Sequence, residues 1–405
     1  MNITFNEFVD NGLYVASYHL GKDIHEITLE DLEKNIELFS DKVYSFIECG
    51  RYKKIANMGF QNSCYTQGPN KGLIERYGKK AKLENIKSKF RLLFRNLGDE
   101  ECCSICGKYN IKITGTDKEY IGMISRSLMP NLTSNTFFNC SNNLQFLDVC
   151  PICLFLSMIS ILNIRKSGNL LIYNSEDKEF MRHLTIYRQK ENKQEIAIKA
   201  QEENNGNTID LEEEIIHFLD CQIWTNKDIY IYIVNNSGQN QVYEDYIITE
   251  KNIKLFKKLI KNNYIDEFSN LNLFRFLLAD TLKYKYLTYL IDLENEELRC
   301  SVDLFELIDR DISLLSKEII RIIRDICYEI YSIGHENRIQ ELKLISSFSS
   351  LERLINKYVN SCKTLKDKNL IIKEKSQKLL NDKNWRSIKN RMIAHFIILK
   401  EVKNV

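Results

Sequence analysis

Cys103-Ser104-Ile105-Cys106 and Cys150-Pro151-Ile152-Cys153 are two C-x2-C knuckles separated by 43 residues. Each knuckle presents two thiolates from one tight turn. Two such turns facing one another make the tetrahedral sulfur site that zinc prefers. The second knuckle runs straight into Leu154-Phe155-Leu156, an apolar segment suited to anchoring the site in a core. Cys102 lies just ahead of the first knuckle and leaves the choice of ligand open by one residue. The pattern predicts a structural Zn2+ on Cys103, Cys106, Cys150 and Cys153, in a module covering residues 100–155.

Around this module the chain is long enough, at 405 residues, for two or three domains with sizeable cores. The composition is that of a globular protein: 44% hydrophobic, 28% charged and only 3 Pro. A net charge of +2 says little about partners, so the distribution of charge has to be read instead. Twelve cysteines are too few for a disulfide scaffold in so long a chain, and the paired knuckles suit a reducing cytoplasm. Met1-Asn2-Ile3-Thr4 leads into Asn6-Glu7 without a basic start or apolar run, so no signal peptide is expected. The longest apolar run, Val149 to Ile164, carries Ser157, Ser160 and Asn163 and falls short of the ~20 residues of a bilayer span. A buried helix is expected there, with no membrane partner.

In chain order, residues 1–27 read as a strand or loop entry. A helix is expected after Thr28, with Leu32, Ile36, Phe39, Val43 and Phe46 on one face and Gly50 as its stop. The window Arg51 to Glu100 holds 12 Lys or Arg against 4 acids. It opens with an amide- and hydroxyl-rich loop from Gly59 to Gly72, which includes Phe60 and Tyr65, and closes with a helix over Lys79 to Leu97. Short β-branched and aromatic runs at 170–173, 184–187, 196–198, 229–234 and 243–249 predict strands. The acidic stretch from Glu202 to Asp220 reads as a solvated loop. Beyond residue 250 the pattern is helical. Ile308, Ile312, Leu315, Ile319, Ile322, Ile326, Ile330 and Ile333 step by three and four over about seven turns, and Gly334 ends them. Further helices are expected over 340–358, 365–380 and 385–400. The fold class is therefore α+β: a mixed N-terminal domain (1–250) with the inserted four-cysteine zinc-binding module, and a C-terminal all-α helical bundle (251–405).

No phosphate-binding loop, dinucleotide fingerprint, H-E-x-x-H or G-x-S-x-G motif is present. Cys150-Pro151-Ile152-Cys153 has the form of a deaminase half-site but lacks the His-x-Glu that would complete it. Arg391 and His395 resemble the Arg–His motif of the HEPN ribonucleases, yet only three residues separate them where that family has four to six. The expectation is a protein without catalysis; the alternative is a zinc-containing HEPN-like ribonuclease or another defence nuclease. The basic window is open to two readings, a solvated face or a phosphate-contacting one. The same holds for the C-terminal stretch Lys357 to Lys403, with 13 Lys or Arg against 4 acids.

The order of features narrows the choice. A polar loop at Asn62-Ser63, a basic helix, C-x2-C and an insert with Pro130, Phe137 and Phe138 come first. A second C-x2-C running into an apolar helix, a β region and a basic helical bundle follow. This order resembles the CXXC–CXXC family of large subunits from type I CRISPR interference complexes (Cascade), of the I-B and related subtypes. The four cysteines carry the resemblance, and the order of domains extends it over most of the chain. It implies a non-enzymatic subunit that binds crRNA and target double-stranded DNA and inspects the PAM. Such a subunit supports R-loop formation and works with backbone, crRNA 5′-end and small subunits and a Cas helicase-nuclease. The metal ligands carried over are the same four cysteines. The recognition residues are read from this sequence alone: Gln61, Asn62, Ser63, Gln67 and Lys71, then Asn131 and Asn135, for the PAM. Lys79, Lys80, Lys82, Lys87, Lys89 and Arg91 are expected on duplex phosphates. Lys375, Lys378, Lys383, Arg386, Lys389 and Arg391 are expected on the displaced strand or heteroduplex.

Overall fold

Asn6 opens a helix where a strand or loop was expected. Its side chain accepts from the N–H groups of Phe8 and Val9, at 3.2 and 3.0 Å, and caps α1 (Glu7–Leu20). Gly12, which weakens a helical reading, is required by packing: a Cβ there would collide with the backbone of Leu156. The computed structural model describes residues 1–60, 63–95, 97–103, 105–108, 110–111, 150–199, 225, 227–235, 242–278, 282–313, 315–332, 338–361, 379 and 385–403. These divide into two compact units, Met1–Ile253 and Lys254–Val405.

The first unit continues through α2 (Leu29–Lys34), α3 (Ile36–Glu48), α4 (Gly50–Gly59), α5 (Lys71–Tyr77), a single 3-10 turn (Gly78–Lys80) and α6 (Ala81–Arg95). Thr28 and Asp31 form a reciprocal capping box for α2. The helix expected from Thr28 breaks at Asn35, whose side-chain amide donates to the Asp31 carbonyl at 2.8 Å. Gly50 begins α4 rather than stopping a helix, because Cys49 takes an extended conformation between the two.

A short ladder, β1 (Leu97–Cys102) with β2 (Asn110–Ile111), brackets the first knuckle. The second knuckle opens α7 (Pro151–Ile159), every residue of which is buried. Phe155 is the hub of this core, edge-on to Phe39, Phe90 and Phe94 at 5.6, 5.0 and 5.0 Å. A four-stranded antiparallel sheet follows, β3 (Arg165–Ser167), β4 (Asn169–Ser175), β5 (Ile229–Asn235) and β6 (Val242–Ile248), in that order, with Leu171 opposite Ile233 and Ile231 opposite Tyr246. The strands expected at 184–187 and 196–198 are instead part of α8 (Lys178–Lys199). Asp177 caps it through Phe180 N–H, and Leu184, Thr185, Arg188, Gln189 and Asn192 are buried at helical spacing. Packing at period 3.6 overrides the local β-preference of Ile and Tyr.

Among the described residues the second unit has helices and a two-residue ladder, β7 (Ile291–Asp292) with β8 (Glu297–Leu298). Its helices are α9 (Glu250–Lys261), which begins just before the boundary, α10 (Ile265–Asn270), α11 (Leu273–Leu278), α12 (Leu282–Leu290), α13 (Val302–Ile312), α14 (Lys317–Ser332), α15 (Arg338–Lys343), α16 (Phe348–Ser361) and α17 (Trp385–Lys403). The long isoleucine run is two helices, since Ser313 is extended and Ser316 caps Ile319 N–H at 3.2 Å. The expected 340–358 helix is likewise split, with Ser347 capping Ser350. The architecture is α+β. The acidic stretch 202–220, Gly334 and the expected helix over 365–380 lie almost wholly outside the described residues. No helix among the described residues is long and apolar enough to cross a membrane.

Candidate metal centre and basic surfaces

The two knuckles meet. The four sulfurs of Cys103, Cys106, Cys150 and Cys153 all lie within 4.8 Å of one another. Two separations are 3.8 Å, Cys103 to Cys153 and Cys106 to Cys150. A tetrahedral Zn–S4 site with bonds near 2.3 Å has sulfur–sulfur edges of about 3.8 Å, so the geometry suits that ion. A disulfide, at about 2.05 Å, is not formed.

Local sequence explains how each knuckle is shaped. Gly107, at φ 61°, lets the chain turn back so that its N–H reaches the Cys103 carbonyl at 2.9 Å. Cys150 is the N-cap of α7 with Pro151 at its first turn, and its sulfur accepts from Cys153 N–H at 3.4 Å. Backbone N–H groups of Ile105 and Cys150 point at the Cys103 sulfur, at 3.4 and 3.2 Å, and favour its thiolate. Contact with Cys106 opposes ionisation of Cys103. The donors from Cys150 and Cys153 outweigh it and hold Cys103 below the usual thiol range, at about 6. Cys153 is pushed up by its contacts with Cys103, Cys106 and Cys150. Left to themselves the thiols resist collective ionisation, and a bound cation is what reverses that balance. Cys64 and Cys327 stand apart as single buried thiols, with burial pushing Cys64 up to about 12.

The recognition residues scatter more widely. Gln61, Asn62, Asn131, Asn135, Lys375, Lys378 and Lys383 lie outside the described residues, as do Phe137 and Phe138. Ser63 is fully buried and its hydroxyl donates to the Phe60 carbonyl at 2.6 Å, so it closes a turn rather than facing a ligand. Phe60 and Tyr65 are core residues, their rings 5.6 Å apart, and Tyr65 donates to the Met158 carbonyl at 3.0 Å. Gln67, Lys71, Lys79 and Lys80 are exposed.

The basic helix α6 divides from the segment before it. Lys82 pairs with Glu48 at 3.1 Å. Lys87 pairs with Glu37, Asp41 and Glu84 at 2.8, 3.6 and 3.5 Å, and Arg91 pairs with Glu37. These cations fasten α6 to α3, where phosphate contacts were expected. Lys89 is half-buried. By contrast α5 buries no residue at all. It exposes Ile74 and Tyr77, with the Arg76 guanidinium 5.4 Å from the Tyr77 ring centre. Arg76 and Tyr77 were missed in the sequence. The available signal was a short apolar stripe, Leu73, Ile74 and Tyr77, set among charged residues and glycines.

In the second unit, Arg386 is exposed beside Trp385, and Lys389 donates to the Ile345 carbonyl at 3.2 Å. Arg391 is fully buried, in contrast to the surface position expected. Its guanidinium donates to Asp309 and Tyr286, and Tyr286 in turn donates to Asp309 at 2.6 Å. Burial raises the Asp309 pKa against the pull of Arg391. Four residues on, His395 is buried with its ring edge-on to Phe305 at 6.3 Å. No family model, curated protein or solved structure matches this chain.

Proposed function

We propose that this chain is a non-catalytic, zinc-stabilised nucleic-acid-binding subunit. In its finer form the reading is the large subunit of a cytoplasmic type I crRNA-guided surveillance complex. It would read the PAM on target duplex, support R-loop formation and hand the target to a helicase-nuclease.

The observation that carries the reading is the segment from Gln67 to Lys80. A helix with no fully buried residue gains little from the core, which leaves most of its surface to serve a partner. Lys71, Lys79 and Lys80 supply phosphate-neutralising charge, with Arg76 beside them. Gln67 is an amide of the kind that pairs with a base edge, and Tyr77 with Ile74 offers an apolar wedge to a base step. Lys71 sits 3.9 Å from Glu75, both highly exposed, a pair that a phosphate displaces at little cost. Zn2+ on the four cysteines has a structural part: it ties the 43-residue insert to the buried start of α7.

Duplex binding by the full chain, alone and within the crRNA-guided complex, tests this. Lys79→Glu with Lys80→Glu should weaken binding at least tenfold and flatten the log–log salt slope by about 0.9 per lost contact. Unchanged affinity and slope would remove the basis of the proposal. So would cleavage of labelled RNA or DNA that disappears in an Arg391→Ala, His395→Ala double variant.

A further inference from the structure

A pocket of about 290 Å³ opens in the second unit where α13, α14 and α17 converge. Its wall on α14 is cationic. Lys317, Arg321 and Arg324 recur at four and three residues, on one face of that helix's first two turns. Among the described residues none of the three has an acidic partner within 4 Å. Arg310 adds a fourth cation from α13, its Nε 3.4 Å from Asp311. Two carboxylates also line the pocket, Glu306 and Asp309, but Asp309 is already neutralised by Arg391. The positive charge is therefore in excess.

The floor carries a second, independent sign. His395 is 7% exposed, lines this pocket, and its Nε2 has no hydrogen-bond partner. A buried polar nitrogen left unpaired is unfavourable, so its survival points to a partner that arrives from outside. The Nη1 of Arg391, one turn away, is unpaired as well.

We propose that this pocket is a phosphate-binding site, taking the phosphate group of a nucleotide or of a nucleic-acid backbone. Lys317, Arg321 and Arg324 would hold its oxygens, and His395 Nε2 would meet it from the floor. Arginine forks match phosphate oxygens, and the N-terminal end of α14 adds the favourable end of the helix dipole. Burial, then the charges of Arg391 and Arg324, push the His395 pKa down to about 4, so the imidazole is neutral and offers a single N–H. The volume admits a group of nucleotide size but no larger fold of chain. This site is distinct from the α5 segment and stands whether or not the chain serves a crRNA-guided complex.

The test uses the full chain, titrated with inorganic phosphate, 5′-AMP and a single-stranded twelve-nucleotide DNA. Arg321→Glu with Arg324→Glu changes two exposed positions. The 15N resonance of His395 reports the floor directly. At least one of the three ligands should bind and shift that resonance. In the double variant the same ligand should bind at least tenfold more weakly with the shift lost, whereas Lys79→Glu with Lys80→Glu should leave the shift intact. Preference for 5′-AMP would identify a small-molecule phosphate as the source, and preference for the oligonucleotide a backbone phosphate. No shift of His395 with any ligand, or an equal shift in the Arg321→Glu, Arg324→Glu variant, would overturn the proposal.

Discussion

Two buried polar centres, one in each unit, are balanced in different ways. In the first unit four thiols face one another with sulfur contacts of 3.8 Å. In the second, Arg391, Asp309 and Tyr286 supply both signs of charge and the hydrogen bonds between them. The second centre supplies its own counter-charge, although one guanidinium nitrogen of Arg391 is left unpaired. The first is complete only as a ligand set, because gathering thiolates in a core without a cation is unfavourable. The difference shows how a cofactor requirement is read from structure. It follows from the sign and softness of the buried groups rather than from their mere clustering.

The largest effect expected is at the sulfur centre. Elemental analysis should find about one zinc per chain, and Cys103→Ser with Cys106→Ser should abolish it. Structural zinc contributes on the order of 10 kcal/mol in small domains. Loss of the ion should therefore open the first unit, read as accelerated hydrogen exchange over 150–164, while 385–398 keeps its protection. Protection that survives zinc removal at 150–164 would make the two centres alike after all.

Next in size is the ion pair. Asp309→Ala leaves the Arg391 guanidinium buried without its carboxylate and should cost about 3–5 kcal/mol in urea unfolding. Replacing both partners, Asp309→Leu with Arg391→Met, should recover much of that loss, since no buried charge remains. A single variant costing under about 1 kcal/mol would show that the pair is not what balances this core.

The two centres were unequally legible in the sequence, for a reason of range. Each pair of cysteines lies within one turn, and its spacing alone specifies a knuckle. Only the meeting of the knuckles is non-local. Arg391 reaches a carboxylate 82 residues earlier, and nothing near it in sequence distinguishes a buried arginine from a surface one. The same limit explains α6, whose lysines look free until α3 brings Glu37, Asp41 and Glu48 alongside. Strands β4, β5 and β6 were legible because alternating or continuous β-branched runs had turns on both sides. Residues 184–187 and 196–198 misled because each run was short enough to fit either period.

A smaller effect follows from pH. His395 titrates near 6.5 unfolded and near 4 folded, so between those values the unfolded chain binds the proton that the folded chain refuses. Its contribution is whole above pH 6.5 and falls as pH drops toward 4, by about 3 kcal/mol in total. His19, in the first unit, is pushed to about 4 as well, by burial first and then by Lys42, so both units should weaken over the same window. His395→Phe, which keeps the ring beside Phe305, should remove the dependence from the second unit only. A slope unchanged in that variant would assign it elsewhere.

At the bottom of the scale lie the cations of α6. Lys87 contacts three carboxylates, yet the partners on α3 are about half exposed and solvent screens the pairs. Lys87→Ala should therefore cost no more than about 1 kcal/mol, and less in 1 M salt, where the Debye length shrinks to about 3 Å. The lysines of the preceding turn should behave in the opposite way. Lys79→Ala and Lys80→Ala remove charges with no acidic partner among the described residues, so stability should hold while duplex affinity falls. Measuring both quantities for both sets separates charge that holds the fold from charge that serves a partner. If Lys87→Ala weakened duplex binding as much as Lys79→Ala, the division between α6 and the segment before it would be lost.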